Sequence, residues 1–204
     1  MYSPVDFHEI RASANEWLFR DALPLWADRG VDREYGGFHD ALDSRTIKNA
    51  ANFKRLRVTT RQIYVFSMAA QKGFSGAEDI VRHGLEFMSG PLRCESGGYY
   101  SRCSIHGEII DYDQDLYDLA FSLFSLAAAY KVLKREDLRQ QATALTYYLH
   151  GNFRHPAGGF IESSSARLPR RQNPHMYLFE ASLAATAIFG DKILDRKCVG
   201  LGKR

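Results

Sequence analysis

The chain has 204 residues, of which 45% are hydrophobic, and its formal net charge at pH 7 is +3. This size and composition suit one globular domain with a substantial core. The weak charge, without a basic stripe interleaved with aromatic residues, argues against nucleic-acid binding, and the absence of a run of 18 uninterrupted apolar residues argues against a membrane partner.

Six segments carry helical periodicity, with apolar residues recurring every three or four positions. They are 7–28, 54–71, 77–88, 113–133, 136–149 and 174–188. The fourth and sixth segments are apolar on most sides, which predicts buried helices, whereas the third and fifth are amphipathic. Asn173 before Pro174 predicts a helix entry with a side-chain N-cap. Short extended pieces are expected near glycines, at 98–102 and 159–163.

A Gly-Gly-aromatic triplet recurs at a constant interval of 61 residues. The copies are Gly36-Gly37-Phe38, Gly97-Gly98-Tyr99 and Gly158-Gly159-Phe160. A constant interval predicts one structural unit used repeatedly, with a turn at the same place in each unit. Glycine permits positive φ, and the aromatic side chain can fold back over the turn. The order of helix, glycine loop and helix therefore predicts a two-layer ring of helical hairpins in one domain.

The three cysteines Cys94, Cys103 and Cys198 are an odd number without CxxC spacing. This pattern favours reduced thiols over a disulfide framework or a metal site. The N-terminus has acidic residues where a signal peptide would carry basic ones. We therefore expect a cytoplasmic protein without a metal site.

Four stretches of the chain resemble the N-acylglucosamine 2-epimerase family, which includes mannose isomerases and cellobiose 2-epimerases. They are YGGFHDALD at 35–43, RLRVTTRQIYVFS at 55–67, LYDLAF at 116–121 and RQNPHMYLFEA at 171–181. The resemblance implies an all-α (α/α)6 barrel of twelve helices in two concentric rings. Such a barrel takes about twice this length. We therefore expect residues 1–190 to form a partial barrel of about six helices, followed by an atypical tail at 191–204.

The resemblance implies a sugar isomerase or 2-epimerase that acts on a monosaccharide or sugar derivative, without a cofactor. The reaction removes the proton at C2 and passes through an enediolate-like intermediate. A group with a pKa near neutrality must carry the proton, and histidine meets this need best. Cationic or hydrogen-bonding groups must stabilise the oxygen that gains negative charge.

The substrate-binding candidates follow from matches to the family motifs. Arg61 matches a family arginine and is expected to bind sugar oxygens or the enediolate, with a surface ion pair as its alternative. Tyr117 matches a tyrosine that contacts sugar, with a core aromatic as its alternative. Asn173 either touches the substrate or only caps its helix.

The family pattern N-P-H-M-H places a histidine in the pocket where this chain has Tyr177. Tyrosine has a pKa near 10, so Tyr177 can bind sugar but is a poor proton carrier at neutral pH. His175 is the catalytic candidate in this segment, although it lies about 200° around the helix from Tyr177, and a structural role is its alternative. By resemblance the acid/base histidines lie in later repeats, so we expect a truncated and catalytically impaired chain.

Other functions stay open at this point. The chain can be an inactive remnant, or a helical-repeat interaction module with a concave surface. An (α/α)6 glycosidase would need two paired carboxylates, and no feature selects a pair among Asp111, Asp113, Asp115 and Asp118. Half a ring leaves apolar edges uncovered, so we expect poor solubility or self-association through such an edge.

Overall fold

The computed structural model describes residues 7–190, and the expected tail at 191–204 lies outside them. The helices are α1 Phe7–Trp17, α2 Leu23–Leu25, α3 Leu56–Gln71, α4 Ala77–Ser89, α5 Leu116–Leu133, α6 Glu136–Asn152 and α7 Gln172–Phe189. Two π-helical stretches, Leu18–Ala22 and Trp26–Gly30, flank α2, so residues 7–30 form one helical segment. All six predicted helical segments are confirmed, with ends that differ by a few residues.

Each Gly-Gly turn connects an outer helix to an inner helix. Helices α3, α5 and α7 pack side by side with α5 in the middle, while α4 packs on α3 and α6 on α5. Helices α5 and α7 thus form part of the inner row, as predicted, although α7 is buried only on the side that packs on α5. The amphipathic helices α4 and α6 lie outside. By length and composition α5 is the one described helix that could cross a membrane, but its burial by its neighbours explains its apolar character equally well.

The three Gly-Gly turns share one backbone geometry. All six glycines have positive φ, and the aromatic residue that follows each pair is buried in the core. That aromatic also forms an isolated β-bridge to a residue shortly before the turn, as in Val31 with Phe38 and Arg154 with Phe160. At Gly98 a Cβ atom would lie 2.7 Å from the ring of Tyr148, and φ is +71°, so a side chain would be strained there.

Successive hairpins are joined by hydrogen bonds from the first residue of α3 and the first residue of α5. The backbone N–H of Leu56, which opens α3, donates to the carbonyl of Ser101 at 3.0 Å. The N–H of Leu116, which opens α5, donates to the carbonyl of Glu162 at 3.0 Å. Both acceptors lie in the extended pieces predicted after the next Gly-Gly turn. A helix start leaves N–H groups without helical partners. The hairpin that follows supplies a carbonyl acceptor for one of these groups.

A small antiparallel sheet reinforces the first of these junctions. Its strands are β1 Phe53–Arg55, β2 Arg102–Ser104 and β3 Ile109–Asp111, in the order β1-β2-β3. Strand β1 leads into α3 and pairs with β2 of the following hairpin. At the second junction the equivalent pairing is a single bridge between Asp115 and Ser163.

Helix α7 begins two residues before the predicted entry. Arg171 is the N-cap residue, and Asn173 and Pro174 lie inside the first turn, so the prediction that Asn173 caps this helix is wrong. The N–H of Arg171 donates to Oε2 of Glu162 at 2.9 Å instead. This acceptor comes from another segment, which allows the helix to start earlier. Pro174 is tolerated because an N–H in the first turn has no helical partner.

A buried ion pair fixes the first Gly-Gly turn against the second hairpin. Nζ of Lys54 lies 2.7 Å from Oδ2 of Asp32 and donates to the carbonyls of Gly36 and Ile105 at 2.6 and 3.0 Å. Both side chains of the pair are buried. Burial alone would raise the pKa of Asp32, but hydrogen bonds from Lys54 and from backbone N–H groups outweigh it and lower that pKa.

We expect Lys54→Met to lower the free energy of unfolding by about 3–5 kcal/mol, because it removes the cation 2.7 Å from the buried Asp32 carboxylate. Urea unfolding monitored by circular dichroism measures the change. Lys72→Met, at an exposed lysine after α3, is the matched control and should stay within about 0.5 kcal/mol of the parent. Equal unfolding midpoints for the two variants would contradict the role given to Lys54.

One side of α7 is an uncovered apolar edge. Met176, Phe179 and Leu183 are 48%, 40% and 48% exposed, at a spacing that places them on one side of the helix. The side that packs on α5 is buried through residues such as Leu178 and Ala181. A contiguous apolar edge of this kind marks an interface or a site of association.

We propose that the 204-residue chain, made by itself, associates through this edge. Phe179→Lys together with Leu183→Lys should shift it towards monomer, because charged side chains oppose burial of the stripe. Size-exclusion chromatography with light scattering measures the mass. Ile110→Lys, at another residue with 48% exposure, is the control and should leave the mass unchanged. A parent chain that stays monomeric at high micromolar concentration would refute the proposal.

Candidate functional site

The inner helices present equivalent positions at the same depth. The second residue of each is Arg57, Tyr117 and Asn173, and the sixth is Arg61, Phe121 and Tyr177. These two layers lie one helical turn apart, because four residues separate them. The layers contain all four residues predicted to bind substrate.

Arg61 and Tyr117 meet across the α3–α5 junction. Nη2 of Arg61 donates to the hydroxyl of Tyr117, and its guanidinium carbon lies 4.9 Å from the ring centroid of Phe121. Tyr177 joins from α7, with its ring centroid 5.1 Å from that of Tyr117 and 4.9 Å from that of Phe121. We call Arg61, Tyr117, Phe121 and Tyr177 the aromatic–arginine cluster.

A second arginine, one helical turn nearer the start of α3, approaches the same tyrosine. The guanidinium carbon of Arg57 lies 5.4 Å from the ring centroid of Tyr117. Its Nε lies 3.0 Å from Oδ1 of Asp118, and its Nη2 donates to Oδ2 at 3.4 Å. The side chain of Asp118 is 1% exposed. Burial raises the pKa of Asp118 to about 6, although the charge of Arg57 acts in the opposite direction.

A polar cleft of about 240 Å³ lies next to the aromatic–arginine cluster, at the layer of Arg57, Tyr117 and Asn173. Its lining, within the described part of the chain, is Arg57, Asp115, Tyr117, Arg171, Asn173 and Pro174. Asn173 therefore faces the cleft, as its substrate-binding prediction requires. A larger and more open depression of about 830 Å³ lies over the third Gly-Gly turn, but it includes no residue of the aromatic–arginine cluster.

The charges around this cleft are mostly paired. The guanidinium group of Arg171 forms an ion pair with the buried Glu162, and Arg167 lies 2.9 Å from Oδ2 of Asp115. Asp115 also accepts a hydrogen bond from the N–H of Tyr117 at 2.9 Å, which caps α5. Arg61 differs, since no ion pair with a carboxylate is found for it among residues 7–190.

Deeper in the inner row the lining becomes mostly apolar, with Gln71 and Lys131 as its polar members. Tyr64, Met68, Phe124 and Ile188 help to line a cavity of about 190 Å³, and the rings of Tyr64 and Phe124 stack with centroids 4.6 Å apart. The polar end of the row is therefore the mouth formed by the first turns of the inner helices.

His175 is not part of the aromatic–arginine cluster. Its Nδ1 lies 3.0 Å from the carbonyl oxygen of Arg171, and its Nε2 accepts from the N–H of Phe160 at 3.3 Å and lies 3.1 Å from the carbonyl oxygen of Phe160. Either ring nitrogen can donate to the carbonyl that it faces, depending on the tautomer. These contacts tie α7 to the third Gly-Gly turn, as in the structural alternative. The catalytic role of His175 stays a prediction.

The interaction between Arg57 and Asp118 was not expected from the sequence. Arg57 could be placed one helical turn before Arg61, and Asp118 directly follows Tyr117. The available signal is that the two residues are 61 positions apart, which equals the interval between the Gly-Gly turns. Between α3 and α5, this interval joins residues in the first turn of each helix.

Comparison with known proteins agrees with this architecture. The family model described as N-acylglucosamine 2-epimerase (GlcNAc 2-epimerase) matches residues 36–198. A mannose-6-phosphate isomerase of Rhizobium meliloti (strain 1021) is 33% identical over 189 residues, which cover 91% of this chain and 49% of that protein. A D-mannose isomerase of Thermobifida fusca is 31% identical over 143 residues, which cover 67% of this chain and 35% of that protein.

The fold is also similar to solved structures. The structure of cellobiose 2-epimerase from Spirochaeta thermophila DSM 6192 matches with a TM-score of 0.86 at 21% identity, over 95% of this chain and 52% of that chain. The chain spans about half the length, or less, of these relatives. The predicted (α/α)6 architecture is confirmed, and the described residues supply three of its hairpins. By its sequence match over most of its length, the chain belongs to the N-acylglucosamine 2-epimerase family.

Proposed function

We propose that this chain binds an open-chain aldose for conversion to its ketose or C2 epimer through an enediolate. The observation that carries the proposal is Arg61, a guanidinium group held against aromatic rings and the Tyr117 hydroxyl, without a carboxylate partner in the described part of the chain. A cation in this setting can bind sugar oxygens and stabilise an oxygen that gains negative charge.

The geometry supports a sugar at the mouth of the inner row. Arg57, Tyr117 and Asn173 border the polar cleft, and Arg61 and Tyr177 lie one turn deeper. Together these residues offer cationic, hydroxyl and amide groups, which are the partners that a polyhydroxylated ligand requires. The two relatives that are named for mannose make a mannose-type aldohexose the first ligand to test.

We propose further that the chain by itself is catalytically impaired, so that sugar binding without turnover is the second candidate function. The observation that favours it is the composition of the cleft, whose described lining contains no histidine. In the layer below, Arg61, Phe121 and Tyr177 include no group with an ordinary pKa near neutrality. Asp118 has a suitable pKa of about 6, but it is buried beside Arg57.

We expect the chain to bind mannose, and Arg61→Ala to weaken binding by about 10- to 100-fold, as for the loss of a hydrogen bond to a charged group. Isothermal titration calorimetry with mannose, glucose and N-acetylglucosamine measures the affinities. Arg82→Ala, at an exposed arginine of α4 that pairs with Glu78, is the matched control and should bind as the parent does. Unchanged binding by Arg61→Ala would remove this residue from the site.

Exchange of the C2 proton of mannose in D2O, followed by NMR, tests the chemistry separately from binding. We expect slow exchange for the parent chain, and an increase of at least about 10-fold for Tyr177→His, because a positioned general base contributes about 10²–10⁴-fold. His175→Gln should not lower the rate if His175 is structural. Loss of residual exchange in His175→Gln would support its catalytic assignment instead, and rapid exchange by the parent would refute the impairment.

A further inference from the structure

Asp118 is a buried titratable group beside the candidate site, and the proposed reaction gives it no role. We propose that Asp118 is a positioning residue, which holds Arg57 against Tyr117 so that two guanidinium groups contact the tyrosine that borders the sugar cleft. The identification of the ligand as a sugar rests on the proposed function. The coupling between Asp118, Arg57 and Tyr117 rests on the geometry alone.

The backbone around Asp118 is fixed by its own helix. Asp118 is in the first turn of α5, directly after Tyr117, whose N–H is capped by Asp115. The carbonyl of Asp118 accepts a hydrogen bond from Oγ of Ser122 at 2.9 Å. Consecutive residues of a helix lie about 100° apart, so Tyr117 borders the cleft while the Asp118 side chain is buried beside it.

Arg57 connects this buried carboxyl to the cleft. Its side chain is 35% exposed and lines the cleft, whereas Asp118 is 1% exposed. The guanidinium carbons of Arg57 and Arg61 lie 5.4 and 5.5 Å from the ring centroid of Tyr117, within the range of cation–π contact. Two like charges beside one ring repel each other, and a carboxylate next to one of them offsets that repulsion.

The charged neighbours of Asp118 show why Arg57 is the group that responds to it. The groups that act on Asp118 or are acted on by it are Arg57 of α3, Arg55 of β1, Asp115 before α5, the Ser101 hydroxyl before β2 and the adjacent Tyr117. Arg55 is held by a bidentate contact with Asp40 at 2.7–3.0 Å. Asp115 is held by the α5 cap and by Arg167. Arg57 has no comparable second carboxylate among the described residues.

The protonation state of Asp118 therefore decides how firmly Arg57 is held. Burial raises the pKa of Asp118 to about 6. Above that pH the carboxylate attracts Arg57, and below it the neutral acid loses this attraction, so that Arg57 is freer to move into the cleft. Tyr117 then loses one of its two cationic neighbours.

NMR of the arginine Nε–Hε groups and of labelled tyrosine rings tests the coupling without a sugar. The Arg57 signal is assigned with Arg57→Lys and the Tyr117 signal with Tyr117→Phe. Between pH 4.5 and 8 we expect both signals to shift in the parent with a common midpoint near 6, and Asp118→Asn to abolish the Arg57 shift. Asp79→Asn, at an exposed acid of α4, is the control and should leave both titrations unchanged.

Mannose affinity is the second measurement. We expect the parent to bind about 5- to 10-fold more weakly at pH 5 than at pH 7.5, because a released Arg57 side chain enters the cleft that the sugar would occupy. Asp118→Asn should bind weakly with little dependence on pH. If Asp118→Asn does not fold, Arg57→Met replaces it, because methionine removes the charge that Asp118 attracts, and Tyr117 should then lose its titration. Coupled titration without mannose binding would overturn the proposed function alone. Signals of Arg57 and Tyr117 that do not titrate together would overturn the positioning role, whether or not mannose binds.

Discussion

The structure depends on the hydrogen bonds that join successive hairpins. The first residue of α3 and the first residue of α5 each donate one to the hairpin that follows. The first N–H groups of a helix have no partners within it, and here Leu56 and Leu116 find theirs in the carbonyls of Ser101 and Glu162. Because the acceptors lie just after successive Gly-Gly turns, these bonds fix the starts of α3 and α5 in equivalent positions. Arg57 and Tyr117 directly follow Leu56 and Leu116 and border the same cleft, which Asn173 near the start of α7 also lines.

The site gains its character from how its charges are paired. Arg171 is bound by Glu162, Arg167 by Asp115, and Arg57 by Asp118, so each of these guanidinium groups already has a carboxylate partner. Arg61 contacts aromatic rings and a hydroxyl instead. A cation that is not neutralised within the protein can still gain from a bound oxygen, which is why we propose Arg61 as a contact for a sugar.

The sequence predicted those features that depend on local patterns. Helix bounds followed from the periodicity, the inner and outer layers from the width of each apolar face, and the turns from Gly-Gly pairs that adopt positive φ. Arg61, Tyr117 and Tyr177 could be selected from motifs. The start of α7 could not be placed correctly, because its N-cap N–H is satisfied by Glu162 from another segment. The Arg57–Asp118 pair could not be predicted from local patterns either, because it forms only when the starts of α3 and α5 lie side by side.

The layer of Arg61, Phe121 and Tyr177 is consistent with the proposed sugar binding. These side chains contact one another, with two ring centroids 4.9 Å apart and a guanidinium group over a ring, which places a positive charge against aromatic rings. Such a cation can bind and polarise a ligand, but an arginine does not carry protons at neutral pH. Proton transfer needs a group that titrates near neutral pH and reaches the ligand. Burial raises the pKa of Asp118 to about 6, but its side chain is buried beside Arg57 and does not line the cleft. In our proposal its protonation therefore acts on the position of Arg57 and not on a bound ligand.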